Sequence, residues 1–488
     1  MSSLFADQDV KQSGPDVEVL GLAYDSRAVK PGFLFAALKG SQGNGRTHVD
    51  DAISRGAVAV LSSESIEEEL VTNIVAENPR HALAQAASVF YERCDQHLKM
   101  VGITGTNGKT TVSHLVEGLL AYADLEPAVI GTLGARYLGS TVETGLTTPQ
   151  SVDLSALLKT MKSAGVQSVV MEVSSHALEQ HRVGGVTYDV GVFTNLTQDH
   201  LDYHGTMEAY FQAKSMLIQE RLKEGGAAVL NLDDEHIAKL LVDGVWGFSV
   251  KGHPAARIFP THVEMGRDSI ALTVSIDGKH CELKSALVGG FNVENILAAV
   301  SVGAALGLDS ESICRGIESV RAVPGRLERV NEAGEPLVVV DYAHTPDALV
   351  KALQAVREIT NGKVICVFGC GGDRDPDKRA PMGEAVGEGA DIALVTNDNP
   401  RSEAPQSIAE MIVPGLLAQG MQPGDVNKIN EFEIELDRSL AIEKAVRAAG
   451  PNDAVLIAGK GHEDYQIIGD EKRYFDDREK ARSVLDRE

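Results

Sequence analysis

The sequence predicts an α/β protein of three domains, with mainly parallel sheets in the second and third, and three observations point there. The chain of 488 residues exceeds what one hydrophobic core serves; at about 100–200 residues per domain it calls for two to four. From about residue 100 a short continuous apolar run, a Gly-rich turn and an amphipathic helix recur in that order, as in a parallel sheet covered on both faces. Apolar content of 43% with 24% charged residues is ordinary for a globular chain and excludes a largely disordered one.

The elements follow in chain order. Residues 1 to about 95 alternate short apolar runs with turns. Residues 17–22 and 33–37 read as strands, 40–46 as a loop, 48–56 as a helix and 57–61 as another strand. The polar stretch 91–99 closes this unit. Next comes a strand at 100–103, followed by Val112, Leu115, Val116, Leu119 and Leu120 at the i, i+3, i+4, i+7, i+8 spacing of a helix. Further strands are expected at 128–130, 168–173, 189–193 and 227–230. A third unit begins near 326, with strands at 337–340, 364–368, 392–395 and 454–458, and a helix from Pro346 carrying Leu349, Leu353 and Val356 on one face. The domains are expected at 1–97, 98–325 and 326–488. The sequence has no internal repeat and no low-complexity segment.

Charge and cysteine narrow the function. A net charge of −25 argues against a protein that coats nucleic acid. Any phosphate site must be local, built from backbone N–H groups, a few cations and metal ions. No run of eighteen uncharged apolar residues exists, so no membrane span is expected. Met1 to Gly14 is polar and acidic and does not read as a leader, which predicts a cytoplasmic location. Cys94, Cys281, Cys314, Cys366 and Cys370 are scattered and odd in number, as reduced thiols are. Cys366 and Cys370 share a C-x3-C spacing without the second pair or His cluster of a zinc site, so both read as core or loop thiols.

Between the strand at 100–103 and its helix stands Gly102-Ile-Thr-Gly-Thr-Asn-Gly-Lys-Thr-Thr111, the context a phosphate loop needs. Glycines let backbone N–H groups turn toward phosphate oxygens, and the helix N-terminus adds positive potential. Lys109 can reach terminal phosphates and the Thr110 hydroxyl can ligate Mg²⁺. The strict G-x-x-x-x-G-K-[ST] spacing fails at Ile103; the shorter G-x-x-G-K-T, Gly105 to Thr110, is what stands. Glu172 closes the strand at 168–173, at the carboxyl end where parallel sheets bind ligands, and is a candidate Mg²⁺ ligand. The next strand leads to His200 and acidic neighbours at the same rim.

These motifs occur in a fixed order with Tyr210-Phe-Gln-Ala-Lys214, Gly290-Phe-Asn-Val-Glu-Asn295, Pro324-Gly-Arg326, Asp341-Tyr-Ala-His344 and Gly459-Lys-Gly-His-Glu463. The ordered set, spanning the whole chain, resembles the Mur ligases, the ATP-dependent amide-bond-forming enzymes of peptidoglycan precursor synthesis. It is most similar to the members that add the third amino acid. The resemblance implies a UDP-substrate-binding N-terminal domain, a central phosphate-loop ATPase domain and a Rossmann-like C-terminal domain for the amino acid. It implies an acyl phosphate formed from ATP and a substrate carboxylate, then displacement of phosphate by an amine.

The resemblance also assigns residues. Gly105, Thr106, Asn107, Gly108, Lys109, Thr110 and Thr111 map to ATP, with Asn295 at the adenine and Arg326 and Asp341 at phosphate and ribose. Lys109, Glu172, His200 and Lys214 map to catalysis. Thr110, Glu172, His200 and Lys214, the last as a carbamate, map to Mg²⁺. Ser26, Ser41, Gln42 and Gly43 map to the uridine diphosphate. Thr147, Thr148, Ser174, Gln180 and Arg182 map to the sugar-peptide of UDP-N-acetylmuramoyl-L-Ala-D-Glu. Leu146 stands where some relatives carry Asn, and Ser41 where some carry His. Arg374, Asp398, Asn399, Pro400, Arg401, Gly459 and Glu463 map to the incoming amino acid. Asp398-Asn-Pro-Arg401 looks like the signature of members that add meso-diaminopimelate rather than lysine, the Arg serving its distal carboxylate and Glu463 its ammonium. A monomer acting without nucleic acid or membrane is expected.

Two other readings stand beside this one. A folylpolyglutamate synthase-like enzyme would share the phosphate loop, but the separate N-terminal unit with Asp25-Ser-Arg27 and the 398–401 segment argue against it. A nucleotide-binding regulatory or scaffold protein would not need Lys109, Glu172, Lys214 and the 459–463 segment together.

Overall fold

A computed structural model of the chain describes residues 1–40, 43–66, 71–332 and 334–486. They divide into two compact units: Met1–Phe259 with Ile276–Lys279 and Leu297–Gly316, and Pro260–Ser275 with His280–Ile296 and Ile317–Glu488.

The first unit holds a small sheet in the order Val10–Ser13, Thr72–Ala76, Ala57–Ser62, Phe33–Ala36, Gly21–Ala23, parallel except for the outer Val10–Ser13 pairing. The helix Pro79–Phe90, capped by the Asn78 side chain on His81 N, lays Leu83, Ala86 and Ala87 against Leu34 and Leu61. Two expectations contract here. The strand expected at 17–22 narrows to Gly21–Ala23; Leu20, ahead of it, faces solvent and donates its N–H to Gly32 O at 2.8 Å. The helix expected at 48–56 is Val49–Ser54, because Asn44 caps Arg46 N and starts a 3₁₀ turn, Gly45–His48, ahead of it.

The same unit carries a larger sheet with the strand order Trp246–Phe248, Leu222–Asn231, Tyr188–Phe193, Lys99–Thr104, Ser168–Glu172, Pro127–Gly131. Those pairings are all parallel, and a short antiparallel meander, Gly134–Tyr137 and Ser140–Val142, follows. Register places Glu172 beside Ile103 and Phe193 beside Thr104, so three strand ends line up. Val112, Leu115, Val116, Leu119 and Leu120 of the helix Lys109–Tyr122 are fully buried, as their spacing predicts. Each such side chain contributes about 1.5–3 kcal/mol of burial. The strands Ile258–Met265, Ile270–Ile276 and Lys279–Ser285, which sequence reasoning missed, lie mainly in the second unit.

The second unit is a sheet in the order Glu328–Arg329, Leu337–Asp341, Ala454–Ala458, Val364–Phe368, Ile392–Val395, Glu431–Ile434, Gln422–Pro423, parallel after its first pairing. The four central strands are where continuous apolar runs predict them, Leu337–Asp341 running one residue longer. Alternate residues of these strands feed two separate cores, as burial on both faces requires. The helix Pro346–Glu358 starts at a Thr345 cap on Ala348 N, with Pro at its first turn, and buries Leu349, Leu353 and Val356. Cys366 and Cys370 are buried free thiols, Cys370 Sγ lying 3.3 Å from Met382 Sδ.

Arg438 and Asp477 form a fully buried bidentate pair, both bonds 2.7 Å. The guanidinium also donates to Asn397 O at 3.2 Å and Ala458 O at 3.0 Å, tying together the ends of two parallel strands. Removing one partner of such a pair strands a buried charge, whereas replacing both with apolar groups does not. Arg438→Met is therefore expected to lower stability by about 3–5 kcal/mol, and Arg438→Met with Asp477→Leu to recover most of it. Guanidinium unfolding midpoints check this; a single variant as stable as wild type would show the pair to be idle.

Candidate functional site

Backbone geometry forces the phosphate loop to be glycine-rich. Gly105 sits at φ +147°, and a Cβ there would lie 1.9 Å from Thr194 Oγ1. Gly108, at φ +87°, opens the helix Lys109–Tyr122. The next strand end braces the loop. Asn195 accepts from Thr106 N at 2.9 Å through its carbonyl and from Asn107 N at 2.8 Å through Oδ1, and Thr194 Oγ1 donates to Asn107 O at 2.6 Å. Lys109 Nζ donates to Gly105 O and Thr106 O, both at 2.9 Å, so the cation hangs over its own loop. Thr111 is buried behind it.

Glu172 is buried, and three hydrogen bonds fix its carboxylate. Oε2 accepts from Thr110 Oγ1 at 3.1 Å and Thr132 Oγ1 at 3.0 Å; Oε1 accepts from Thr132 N at 3.1 Å. Gly131 leaves the room, since a Cβ there would lie 2.3 Å from Glu172 Oε1. The fold thus brings Thr110 and Glu172 together. Thr132, which sequence reasoning missed, is their third member; its one signal is a hydroxyl just past a strand end. Hard oxygen donors of this kind fit Mg²⁺, which keeps several waters and takes phosphate oxygens as remaining ligands. His200 follows the neighbouring strand Tyr188–Phe193. It is half-exposed at φ +52°, with its ring 5.0 Å from that of His176 and 6.2 Å from that of Tyr210. Burial pushes His176 down to about 4. Among the described residues no group of three His, Cys, Asp or Glu side chains is gathered for a metal ion.

Lys214, on the helix Met207–Glu220, is buried with Nζ 2.9 Å from Gly105 O, the carbonyl that Lys109 also uses. Burial and the nearby positive Lys109 hold its pKa well below the ordinary lysine value, with Asp199 opposing. Tyr210 lies under the amine, its ring centre 4.5 Å away, and its hydroxyl shares a 3.3 Å hydrogen bond with Thr106.

A third cluster joins residues from four segments. Thr148 Oγ1 donates to Glu172 O at 2.9 Å and accepts from Ser174 N at 3.1 Å. Arg182 donates to Thr148 O at 3.2 Å and to Gln180 Oε1 at 2.8 Å, and the Thr147 hydroxyl is 3.4 Å from that of Thr132. Ser26 is buried at the start of its 3₁₀ turn, capped by Asp25, and Gly43 O accepts from Gly40 N at 2.8 Å. Ser41 and Gln42 lie outside the described residues.

In the second unit Asp341 accepts from Leu327 N and Ala343 N, both at 2.8 Å; burial pushes its carboxyl above the ordinary range against the pull of Arg326. The Arg326 guanidinium is 5.2 Å from the Tyr342 ring centre, and Asn295, buried, donates to Asn292 Oδ1 at 2.9 Å. Beside Asp341 in register, Ala458 leads into Gly459 at φ +115°. Asp398, Asn399 and Pro400 are buried, and Asn399 Nδ2 donates to Glu463 Oε2 at 3.0 Å. Arg401, at φ +50°, is held by backbone bonds to the hairpin Tyr465–Ile468/Glu471–Tyr474: its N–H donates to Ile467 O at 3.1 Å and its carbonyl accepts from Gly469 N at 2.8 Å. Its Nη1 donates to Gly372 O at 2.7 Å, so the backbone already occupies part of the expected carboxylate clamp. Arg374 is exposed on the neighbouring loop. The two loops are laced together by Ser402 on Asp373 and by Arg379 on Glu403.

Three family models match the chain: Mur ligase family, catalytic domain, over residues 18–93; Mur ligase middle domain over 103–303; and Mur ligase, glutamate ligase domain, over 325–461. A relative from Geobacter metallireducens named UDP-N-acetylmuramoyl-L-alanyl-D-glutamate–2,6-diaminopimelate ligase is 45% identical over 96% of this chain and 94% of its own. A solved structure of a ligase of that name is 33% identical, with a TM-score of 0.71 over 96% of this chain and 95% of that one. Folylpolyglutamate synthase of Mycobacterium tuberculosis, complexed with ADP and AMPPCP, covers 78% of this chain and 92% of its own at 18% identity and a TM-score of 0.62, a likeness of fold alone.

Proposed function

The chain belongs to the Mur ligase family, and from that membership we infer an ATP-dependent ligase that joins 2,6-diaminopimelate to UDP-N-acetylmuramoyl-L-Ala-D-Glu. The observation that carries this is the 45% identity, over 96% of the chain, to a relative of that name. The meso isomer is the proposed form of the amino acid. The domains proposed are 1–97 for the uridine end, 98–325 for ATP and 326–488 for the amino acid. The enzyme is proposed to work as a cytoplasmic monomer.

The reaction sets two demands. A carboxylate oxygen is a poor leaving group, so it must first attack the γ-phosphate of ATP, expelling ADP and forming an acyl phosphate. The amine of diaminopimelate then attacks the acyl carbon, phosphate leaves and the amine proton is lost. Two anions must approach for the first step, and Lys109, hung over the loop by two carbonyls, is placed to offset that repulsion. Thr110 and Glu172 would hold Mg²⁺, which supplies Lewis-acid polarisation of phosphate oxygens. Thr148, Ser174, Gln180 and Arg182 orient the sugar-peptide. Asp398, Asn399, Arg401 and Glu463 take the amino acid, with Arg374 as a second cation for its distal carboxylate.

Lys109→Ala is expected to lower kcat by about 10²–10³-fold with circular dichroism unchanged, because it removes a charge that acts on the transition state. A variant keeping more than about a tenth of wild-type turnover in a coupled ATPase assay would remove Lys109 from that role.

Lys214 is proposed to be a carbamate. A depressed pKa favours the neutral form of the amine, which adds to CO2 with loss of a proton and becomes an anionic carbamate suited to a metal. Enzyme equilibrated with ¹³C-bicarbonate is expected to show a carbamate carbon by NMR that is absent in Lys214→Ala; an unmodified ammonium in active enzyme would count decisively against it.

Choice of amino acid is the third test. A site holding cations for the distal carboxylate should favour diaminopimelate over lysine by about 10⁴-fold or more in kcat/KM, because lysine brings no carboxylate to those cations and sets its own cation nearby. Arg401→Ala should erase most of that preference. Equal use of lysine by wild type, or undiminished diaminopimelate use by the variant, would overturn the assignment.

A further inference from the structure

Lys460 is fully buried in the second unit, immediately after the strand Ala454–Ala458. Its Nζ lies 3.3 Å from Asp398 Oδ1, 3.1 Å from Asn399 Oδ1 and 3.6 Å from Glu463 Oε2. One amine therefore meets three side chains that reach it from two strand ends. It also decides how Asn399 points. Oδ1 of that amide accepts from Lys460 and from Ile467 N at 3.0 Å, which turns Nδ2 toward Glu463 Oε2 at 3.0 Å. Two donors aimed at one oxygen leave the amide a single satisfied orientation. The carboxylates of Asp398, buried, and Glu463, partly buried, share the cation, and without it two anions would face each other with nothing to hold them in place. The backbone on either side suits this placement: Gly459 is at φ +115° and Gly461 at φ +53°, where a Cβ would lie 2.7 Å from Tyr342 Cβ.

We propose that Lys460 is a positioning residue that sets specificity in the amino-acid site, a buried cation that holds Asp398, Asn399 and Glu463 in the one arrangement that reads the charged distal end of the amino acid. The proposal rests on the reading of those three residues as diaminopimelate contacts. It gives Lys460 no contact with ATP or with the uridine nucleotide.

Lys460→Met, of similar length and without charge, and Lys460→Gln, which keeps an amide donor, are compared with wild type by steady-state kinetics on each of the three substrates. The KM for diaminopimelate is expected to rise about tenfold or more in Lys460→Met, the size of effect that outer-shell partners carry, and less in Lys460→Gln. The KM values for ATP and for the uridine nucleotide should stay within about twofold, and preference for diaminopimelate over lysine should fall at least as far as its KM rises. Folded variants that keep wild-type KM and preference would overturn the proposal. So would a parallel rise in all three KM values, or loss of fold in both variants, since either makes Lys460 a stability residue only. A wild-type enzyme without diaminopimelate activity would sink the reading of the site itself, whereas active wild type with unmoved variants sinks only the role of Lys460.

Discussion

Parallel pairing is the constraint on which the rest depends. A parallel strand must be followed by a crossover, so every strand of such a sheet ends at the same edge and every following loop starts there. In the first unit this aligns Thr104, Glu172 and Phe193, and the loops that follow supply the phosphate cradle, the Thr132–Glu172–Thr110 set and the Thr194–Asn195 brace. In the second unit it aligns Asp341 with Ala458 and Phe368 with Val395, and the loops that follow carry Arg374, Asp398 to Arg401 and Gly459 to Glu463. Neither site needs distant segments to be gathered by chance; strand direction gathers them.

Buried cations then divide by what they meet. Arg438 meets a carboxylate through two bonds and stays charged as a structural tie. Lys460 meets two carboxylates and an amide. Lys214 meets a carbonyl, the face of Tyr210 and the positive charge of Lys109. Desolvation opposes a buried charge; the Asp477 carboxylate offsets it for Arg438, whereas burial and the positive Lys109 together hold the pKa of Lys214 down. The same residue type, equally hidden, is in one place set between two carboxylates and in another an amine whose pKa is held down.

The sequence was legible where chemistry is local. Gly105 to Thr110 announces its role because a glycine turn, a lysine and a helix start are contiguous, and the four central strands of the second unit are continuous apolar runs. Legibility failed where pairing is between half-exposed strands. Ile270–Ile276 alternates buried and partly buried residues in the period of a strand, but its polar neighbours Ile258–Met265 and Lys279–Ser285 hide it. The hairpin 465–474 is exposed along its second strand, yet it fixes Arg401 through backbone bonds that no side-chain pattern encodes. Thr132 escaped notice for a related reason, since its contribution depends on Gly131 making room for Glu172. Lys460 stood in a quoted motif without a role, because only the fold shows Asp398 and Asn399 beside it.

The residue after Asn399 has a consequence for how the protein ages. Asparagine side chains deamidate when the backbone nitrogen of the next residue loses its proton and attacks the amide carbon, closing a five-membered imide. Pro400 has no N–H to lose, so that route is shut at Asn399. The amide whose direction Lys460 and Ile467 set is thus also one that cannot pass through the imide to a carboxylate, so that route adds no third negative charge beside Asp398 and Glu463. The phosphate loop has the opposite neighbour, since Asn107 precedes Gly108, the least hindered of all nitrogen donors. Of the two loops that carry substrate-facing asparagines, the one in the second unit is built to outlast the other.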